Sequence, residues 1–176
     1  MVITWIWLIF AVIISQRLLE LYIARRNRIW ALSAGAKEFG ASHYPAFFIV
    51  HGGWLAGWVS EAAMRNSLSD IWYVWLGIFL GAQILRYWCI TSLGRYWNTR
   101  ILIVPGSTLI RRGPYRIMKH PNYLAVTIEL ISVPMIFGAL TTAVLATLVN
   151  TVLLMRIRIP LEEQALQLIK TAEKDG

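Results

Sequence analysis

The chain has 176 residues, enough for one domain by the usual prior, with 57% apolar residues and nine tryptophans. Together with a mean hydropathy of +0.57, this exceeds what a soluble core needs and excludes an ordinary cytosolic domain. The formal charge of +8 does not point to nucleic acid, because the basic residues are interrupted by segments that belong in lipid and read instead as topology signals.

In chain order, Ile3 to Tyr22 is long enough as a helix to cross a hydrocarbon layer of roughly 30 Å. It lacks a basic segment before it and is followed by Arg25, Arg26 and Arg28, the reverse of a secretory signal, so it is expected to be retained. Arg17 and Glu20 near its inner end are spaced to pair. Ile29 to Ser42 reads as a connector lying on the membrane. A second span is expected from Pro45 to Met64 and a third from Ile71 to Ser92, separated by the polar turn Arg65 to Asp70. Each carries a pair of small residues four apart, Gly53 with Gly57 and Gly77 with Gly81, a spacing that permits close helix approach. His51 reads as a packed polar residue and Arg86 as facing protein or the inner interface.

Beyond Gly94 the chain turns basic through His120. Two apolar stretches follow, Tyr123 to Phe137 and Thr141 to Met155, divided at Gly138, and these predict a helical hairpin. Pro160 suits the start of a final amphipathic helix. The fold class is therefore an all-α polytopic membrane protein with five spans. It forms a single membrane domain, residues 1–93 as scaffold and 94–176 as catalytic region. Of 17 Lys and Arg, 14 fall on one side in this arrangement, which places the N-terminus outside and the C-terminus in the cytoplasm, in a cell (inner) membrane. The single Cys89 excludes an intrachain disulfide, and His43, His51 and His120 show no metal-ligand spacing, so no metal is expected.

Chemistry concentrates in Gly113 to Tyr123, G-P-Y-R-I-M-K-H-P-N-Y. Pro114 and Pro121 bend this segment, and its tyrosines suit either a ligand pocket or an interfacial belt. The run T-L-I-R-R-G-P-Y-R-I-M-K-H-P-N-Y, followed after the hairpin by R-I-P-L-E-E, resembles the isoprenylcysteine carboxyl methyltransferase family. Members are small polytopic enzymes that use S-adenosylmethionine. The resemblance covers the last half of the chain and implies cofactor contacts at Ser107, Thr108, Leu109, Ile110, Tyr115, His120, Pro121, Asn122, Tyr123 and Glu162, with a further one near Arg100. It also implies an acceptor contact at Arg158. Two positions depart from the family pattern. Lys119 stands where Arg usually precedes the His-Pro pair, and Glu129 replaces an apolar or aromatic residue of the eukaryotic members.

The side chains carry the same chemistry on their own terms. A sulfonium, an amino-acid end and an adenine call for aromatic faces, a carboxylate and hydrogen-bonding groups. Tyr115, Tyr123, Glu162, His120 and Asn122 supply them, although acids after Pro160 also suit a helix first turn and Arg158 also suits a topology anchor. A carboxylate acceptor needs no base, whereas a phenol or enol must lose a proton, for which Glu129 is the candidate. The expected acceptor is a lipophilic small molecule arriving from the bilayer, where the only other expected partners are membrane lipids. The G-R-Y-W-N-T-R-I stretch at Gly94 to Ile101 and short loops are similar to bacterial relatives acting on alkylpyrones and phenolic lipids. That favours a lipid hydroxyl over a lipid-linked carboxylate. A phospholipid N-methyltransferase, an NADPH-dependent membrane reductase and a non-catalytic scaffold are the alternatives.

Overall fold

A computed structural model describes the backbone of residues 2–175 and the side chains of residues 2–169. The architecture is mostly helical. α1 spans Val2–Ser33, α2 Tyr44–Arg65, α3 Trp72–Leu93, α4 Pro121–Ile136 and α5 Leu140–Leu153. A five-residue π-type turn, Leu154–Arg158, leads without a break into α6, Ile159–Asp175. Three segments are long and apolar enough to cross a membrane, Val2–Ser33, Trp72–Tyr96 and Leu140–Ile169, and α4 is a shorter apolar helix. Large aliphatic side chains such as Ile49, Ile84 and Leu148 stand fully outward on these helices, as expected where the surrounding solvent is lipid.

Two expectations are corrected at the polar end of the bundle. α1 continues eleven residues past Tyr22, so no surface connector begins at Ile29. It stops in a turn at Gly35, whose φ of +80° only glycine adopts freely. The chain then forms β1, Lys37–Phe39, which pairs antiparallel with β2, Ile101–Ile103, with Glu38 opposite Leu102. The fold is therefore not purely helical. A three-residue strand has too little period to be read from sequence.

Pro160 likewise does not open a separate helix. Its missing N–H and its ring would clash with the carbonyl four residues back in a regular α-helix. The widened turn ahead of it absorbs that defect, with the Ile159 N–H bonding Leu154 O. The remaining charges of this helix, Lys170, Glu173, Lys174 and Asp175, lie outside the described side chains.

The apolar core gathers Ile6, Ile9 and Ile13 of α1, Trp54 and Trp58 of α2, Phe79 of α3, and Leu130, Val133, Ile136 and Phe137 at the end of α4. Trp58 stacks on Phe137 at 5.5 Å with ring planes 13° apart, and Trp54 donates to Leu130 O at 3.0 Å. The hairpin turns at Gly138, φ +66°. α5 then starts against Glu61, whose carboxylate accepts from the Thr141 and Thr142 N–H groups and the Thr142 hydroxyl, satisfying first-turn donors that would otherwise be orphaned. Of the four glycines expected at helix contacts, only Gly57 has one. A Cβ there would meet Thr142 of α5 at 3.0 Å, whereas Gly53, Gly77 and Gly81 face open space.

Four charged side chains are buried together between α1, α3 and α4. Arg17 bonds Glu20 at 2.6 Å and Glu129 at 2.5 Å, and Arg86 bonds Glu20 at 3.2 Å and also pairs with Glu129. Two guanidiniums thus face two carboxylates, leaving no net charge at hydrocarbon depth. Removing one member leaves the other three with an uncompensated buried charge. Arg86→Met is expected to destabilise the fold by about 3–5 kcal/mol, read as a lowered thermal midpoint of the detergent-solubilised protein. A midpoint equal to that of the parent would show that the ring contributes nothing to stability.

Candidate active site

The hairpin and the continuous α5–α6 rod return the chain to the start of α4, so residues 120–123 meet residues 158–163. Pro121 occupies the first turn of α4 and is buried, which fixes the entry of that helix. Immediately around it, Tyr123 donates a hydrogen bond to Glu162. The same hydroxyl accepts from Arg158 Nε at 3.0 Å. His120 stacks on Tyr123, ring centroids 5.4 Å apart. Its Nδ1 lies 3.7 Å from Glu162 and its Nε2 3.6 Å from Glu163. Glu163 in turn reaches Lys119 at 3.4 Å.

The bent segment before α4 brings in Tyr115, whose hydroxyl hydrogen-bonds the buried Cys89 thiol of α3 and interacts electrostatically with Glu162 and Tyr123. Burial pushes its phenol well above its ordinary range, so it remains a neutral hydroxyl. The segment is pinned at Gly113, φ +56°, where a Cβ would overlap the Ser92 hydroxyl and approach Trp88. Asn122 places its side-chain oxygen in a buried position with no hydrogen-bond partner. An orphaned acceptor beside a carboxylate and two aromatic faces has the composition that an ammonium-bearing, cationic ligand requires.

The remaining expected residues lie around this cluster in different ways. Ser107 uses its hydroxyl locally, donating to Val104 O at 2.7 Å, and Thr108 is exposed. Leu109 and Ile110 are half-buried. Arg100 is committed elsewhere. It pairs with Glu38 of β1, which also takes Arg28 at 3.1 Å, and its guanidinium lies 4.2 Å from the Tyr44 ring centroid. Burial alone would raise the Glu38 pKa, but the bonds from Arg100 and Arg28 bring it below the usual carboxylate range.

Three residues not anticipated from sequence connect this strap to the cluster. Arg158 donates to the Thr99 carbonyl at 2.9 Å, and the Thr99 hydroxyl pairs with the Tyr44 hydroxyl at 2.9 Å. Glu38, lone acid within a basic stretch, was the one available signal. Glu129, the candidate base, lies in an ion-pair ring away from this cluster. Both oxygens are held by Arg17 and Arg86, its side chain is 2% exposed, and it lies six residues, ~9 Å along α4, from Tyr123.

The geometry therefore defines a class first: a helical membrane protein with a polar, aromatic and acidic cluster at one end of its bundle. A sequence profile of the isoprenylcysteine carboxyl methyltransferase (ICMT) family matches residues 75–168, and the chain belongs to that family of membrane methyltransferases. The match reaches back through most of α3, further than the motifs alone. The chain is 43% identical over 164 residues to a Bacillus subtilis (strain 168) protein described as "Uncharacterized protein YpbQ", covering 92% of this chain and 96% of the relative. A Haemophilus influenzae protein, also described as uncharacterized, is 28% identical over 159 residues, 89% of this chain and 92% of the relative. No solved structure gives a significant match.

The hydrogen bond and charge of Glu162, helped by Glu163 and opposed by burial, raise the His120 pKa above its ordinary value of about 6.5. The imidazolium thus contributes stability that is fully present below about pH 6.5 and lost as pH rises through the raised value. His120→Gln is accordingly expected to lower the thermal midpoint more at pH 6 than at pH 9. An equal deficit at both values would show that the carboxylates do not hold a charged ring.

Proposed function

We propose that this protein is an S-adenosylmethionine-dependent O-methyltransferase acting on a lipophilic acceptor. The observation that carries the proposal is the meeting of Glu162 and Arg158 with Tyr123 and His120, groups 35 to 42 residues apart in sequence. Membership of a methyltransferase family supplies the reaction class. S-adenosylmethionine supplies an electrophilic methyl group.

The residues suited to hold it are Glu162 and the Asn122 oxygen for its ammonium, the faces of Tyr115 and Tyr123 for its cationic and aromatic parts, His120 for its carboxylate, and the run Ser107 to Ile110. Arg100, engaged by Glu38, is better suited to supporting the loop than to touching the cofactor. Arg158 is suited to the acceptor. Its guanidinium, fixed by Tyr123 and Thr99, presents a permanent positive charge that draws an acceptor oxygen and stabilises it as an anion.

Glu129 is tied to two arginines, and Glu162 is engaged by Tyr123 and His120, which favours an acceptor that does not depend on a strong base. The acceptor is therefore a lipid carrying an oxygen that ionises easily, a carboxylate or an acidic enol or phenol. We take the chain as five spans with the N-terminus outside, supported by the excess of Lys and Arg on one side; the cluster then lies at the cytoplasmic face, where a soluble cofactor and a lipid acceptor can meet.

Incubating the detergent-solubilised protein with methyl-labelled S-adenosylmethionine and a lipid extract is expected to yield a labelled lipid whose label is lost on ester or enol-ether cleavage. Label on an amine headgroup would instead show N-methylation, and binding of NADPH without label transfer would show a reductase. Glu162→Gln is expected to weaken S-adenosylmethionine binding about 10- to 100-fold, the range of a lost charge-assisted contact. Arg158→Ala is expected to lower kcat/KM for the acceptor by about 100-fold while leaving cofactor affinity within a few-fold. Equal loss of cofactor affinity in both variants would contradict the division of roles.

A further inference from the structure

A second cleft opens between α1 and α3 on a part of the surface the catalytic cluster does not use. It measures about 320 Å³ and is lined by Tyr22, Ile23 and Ile90 on its apolar side and by Arg26, Thr91 and Arg95 on its polar side. No carboxylate lines it. Among the described residues, Arg26 has no ion-pair partner, and Arg95 contacts only aromatic rings. Both guanidiniums are exposed.

The polar wall is built rather than adventitious. Asn27 is buried and donates to Gly94 O at 3.1 Å and Trp97 O at 2.7 Å, fixing the turn after α3 against α1. That turn carries Arg95, whose guanidinium lies 4.3 Å from the Trp30 ring centroid and 5.6 Å from that of Tyr96. Trp30 and Tyr96 pack edge to face at 5.2 Å, so the platform itself is fixed. A guanidinium held by its face on aromatic rings keeps its in-plane N–H groups for an anion. Arg26 stands on α1 between Tyr22 and Trp30, one turn from each, which puts all three on one helix face.

We propose that this cleft binds the phosphate of an anionic phospholipid, with Arg26 and Arg95 on the headgroup and the first part of the lipid lying against Tyr22, Ile23 and Ile90. Charge complementarity selects an anion. The apolar wall on two helices long and apolar enough to span a membrane selects one that carries a lipid tail over a soluble phosphate. A basic pocket between spanning helices is suited to a headgroup of this kind.

The test is native mass spectrometry of the full chain released from neutral detergent, titrated with phosphatidylglycerol, phosphatidylcholine or inorganic phosphate. The wild type is expected to retain phosphatidylglycerol in preference to phosphatidylcholine and to keep it in the presence of millimolar phosphate. The double variant Arg26→Gln, Arg95→Gln is expected to bind phosphatidylglycerol about 100-fold more weakly, the scale of two lost charge-assisted contacts. Arg25→Gln removes an equally exposed charge that does not line the cleft, and is expected to change binding less than twofold.

Equal retention of the two lipids would overturn the proposal. So would displacement by inorganic phosphate, which would make the ligand a soluble anion, or equal weakening by Arg25→Gln, which would make the effect general surface attraction. If the double variant fails to elute as a single species, the single variants Arg26→Lys and Arg95→Lys decide. Retained charge without the guanidinium fork is expected to weaken binding at Arg95, where the face is stacked, more than at Arg26, and the reverse order would count against the cleft.

Discussion

The carboxylate of Glu162 meeting the hydroxyl of Tyr123 is the contact on which the candidate site depends. Those residues belong to α6 and α4, and they can meet only because α4 and α5 fold back at Gly138 and because the α5–α6 rod continues through a proline without turning away. The widened turn at Leu154–Arg158 therefore has a use beyond accommodating Pro160. It sets the rotation of α6, and it ends at Arg158, which bonds both Tyr123 and Thr99. Non-α turns of this kind recur where a helix must aim a functional side chain.

A lipid environment gives this arrangement a second constraint, since polar groups must find partners within the protein. Deep in the bundle the solution is the closed ring of Arg17, Glu20, Arg86 and Glu129, neutral in sum. At the polar end the solution is different. There β1 and β2, the Glu38 pairs and the stacked Tyr44 cover the base of α6, while Asn122 keeps an unpartnered acceptor in the cluster. The first region balances its charges within itself, although Glu20 Oε1 and Arg86 Nε have no hydrogen-bond partner. The second sets a histidine, tyrosines and carboxylates together at the helix ends.

Much of this organisation is legible in the chain. The bounds of α2 and α3 follow from apolar length, the hairpin from Gly138, and the candidate cluster from the H-P-N-Y and R-I-P-L-E-E stretches. What the sequence hides is long-range pairing of charges. Glu129 looks like a carboxylate available for chemistry until its partners, 43 and 112 residues away, are seen to hold it. Arg100 looks like a cofactor contact until Glu38, 62 residues earlier, is seen to claim it. Small residues mislead in the same way, since glycine spacing records where a backbone could approach and not whether a neighbour is there. Only Gly57 has one.

The most direct measurement is a double-mutant cycle on S-adenosylmethionine affinity with Tyr123→Phe, Glu162→Gln and the combined variant. If the two side chains act as one unit within the cofactor pocket, the second substitution costs much less once the first is present, with a coupling of about 1 kcal/mol or more. Strictly additive losses, or affinities unchanged in all three variants, would mean that this contact lies outside the pocket and that the methyl donor binds elsewhere.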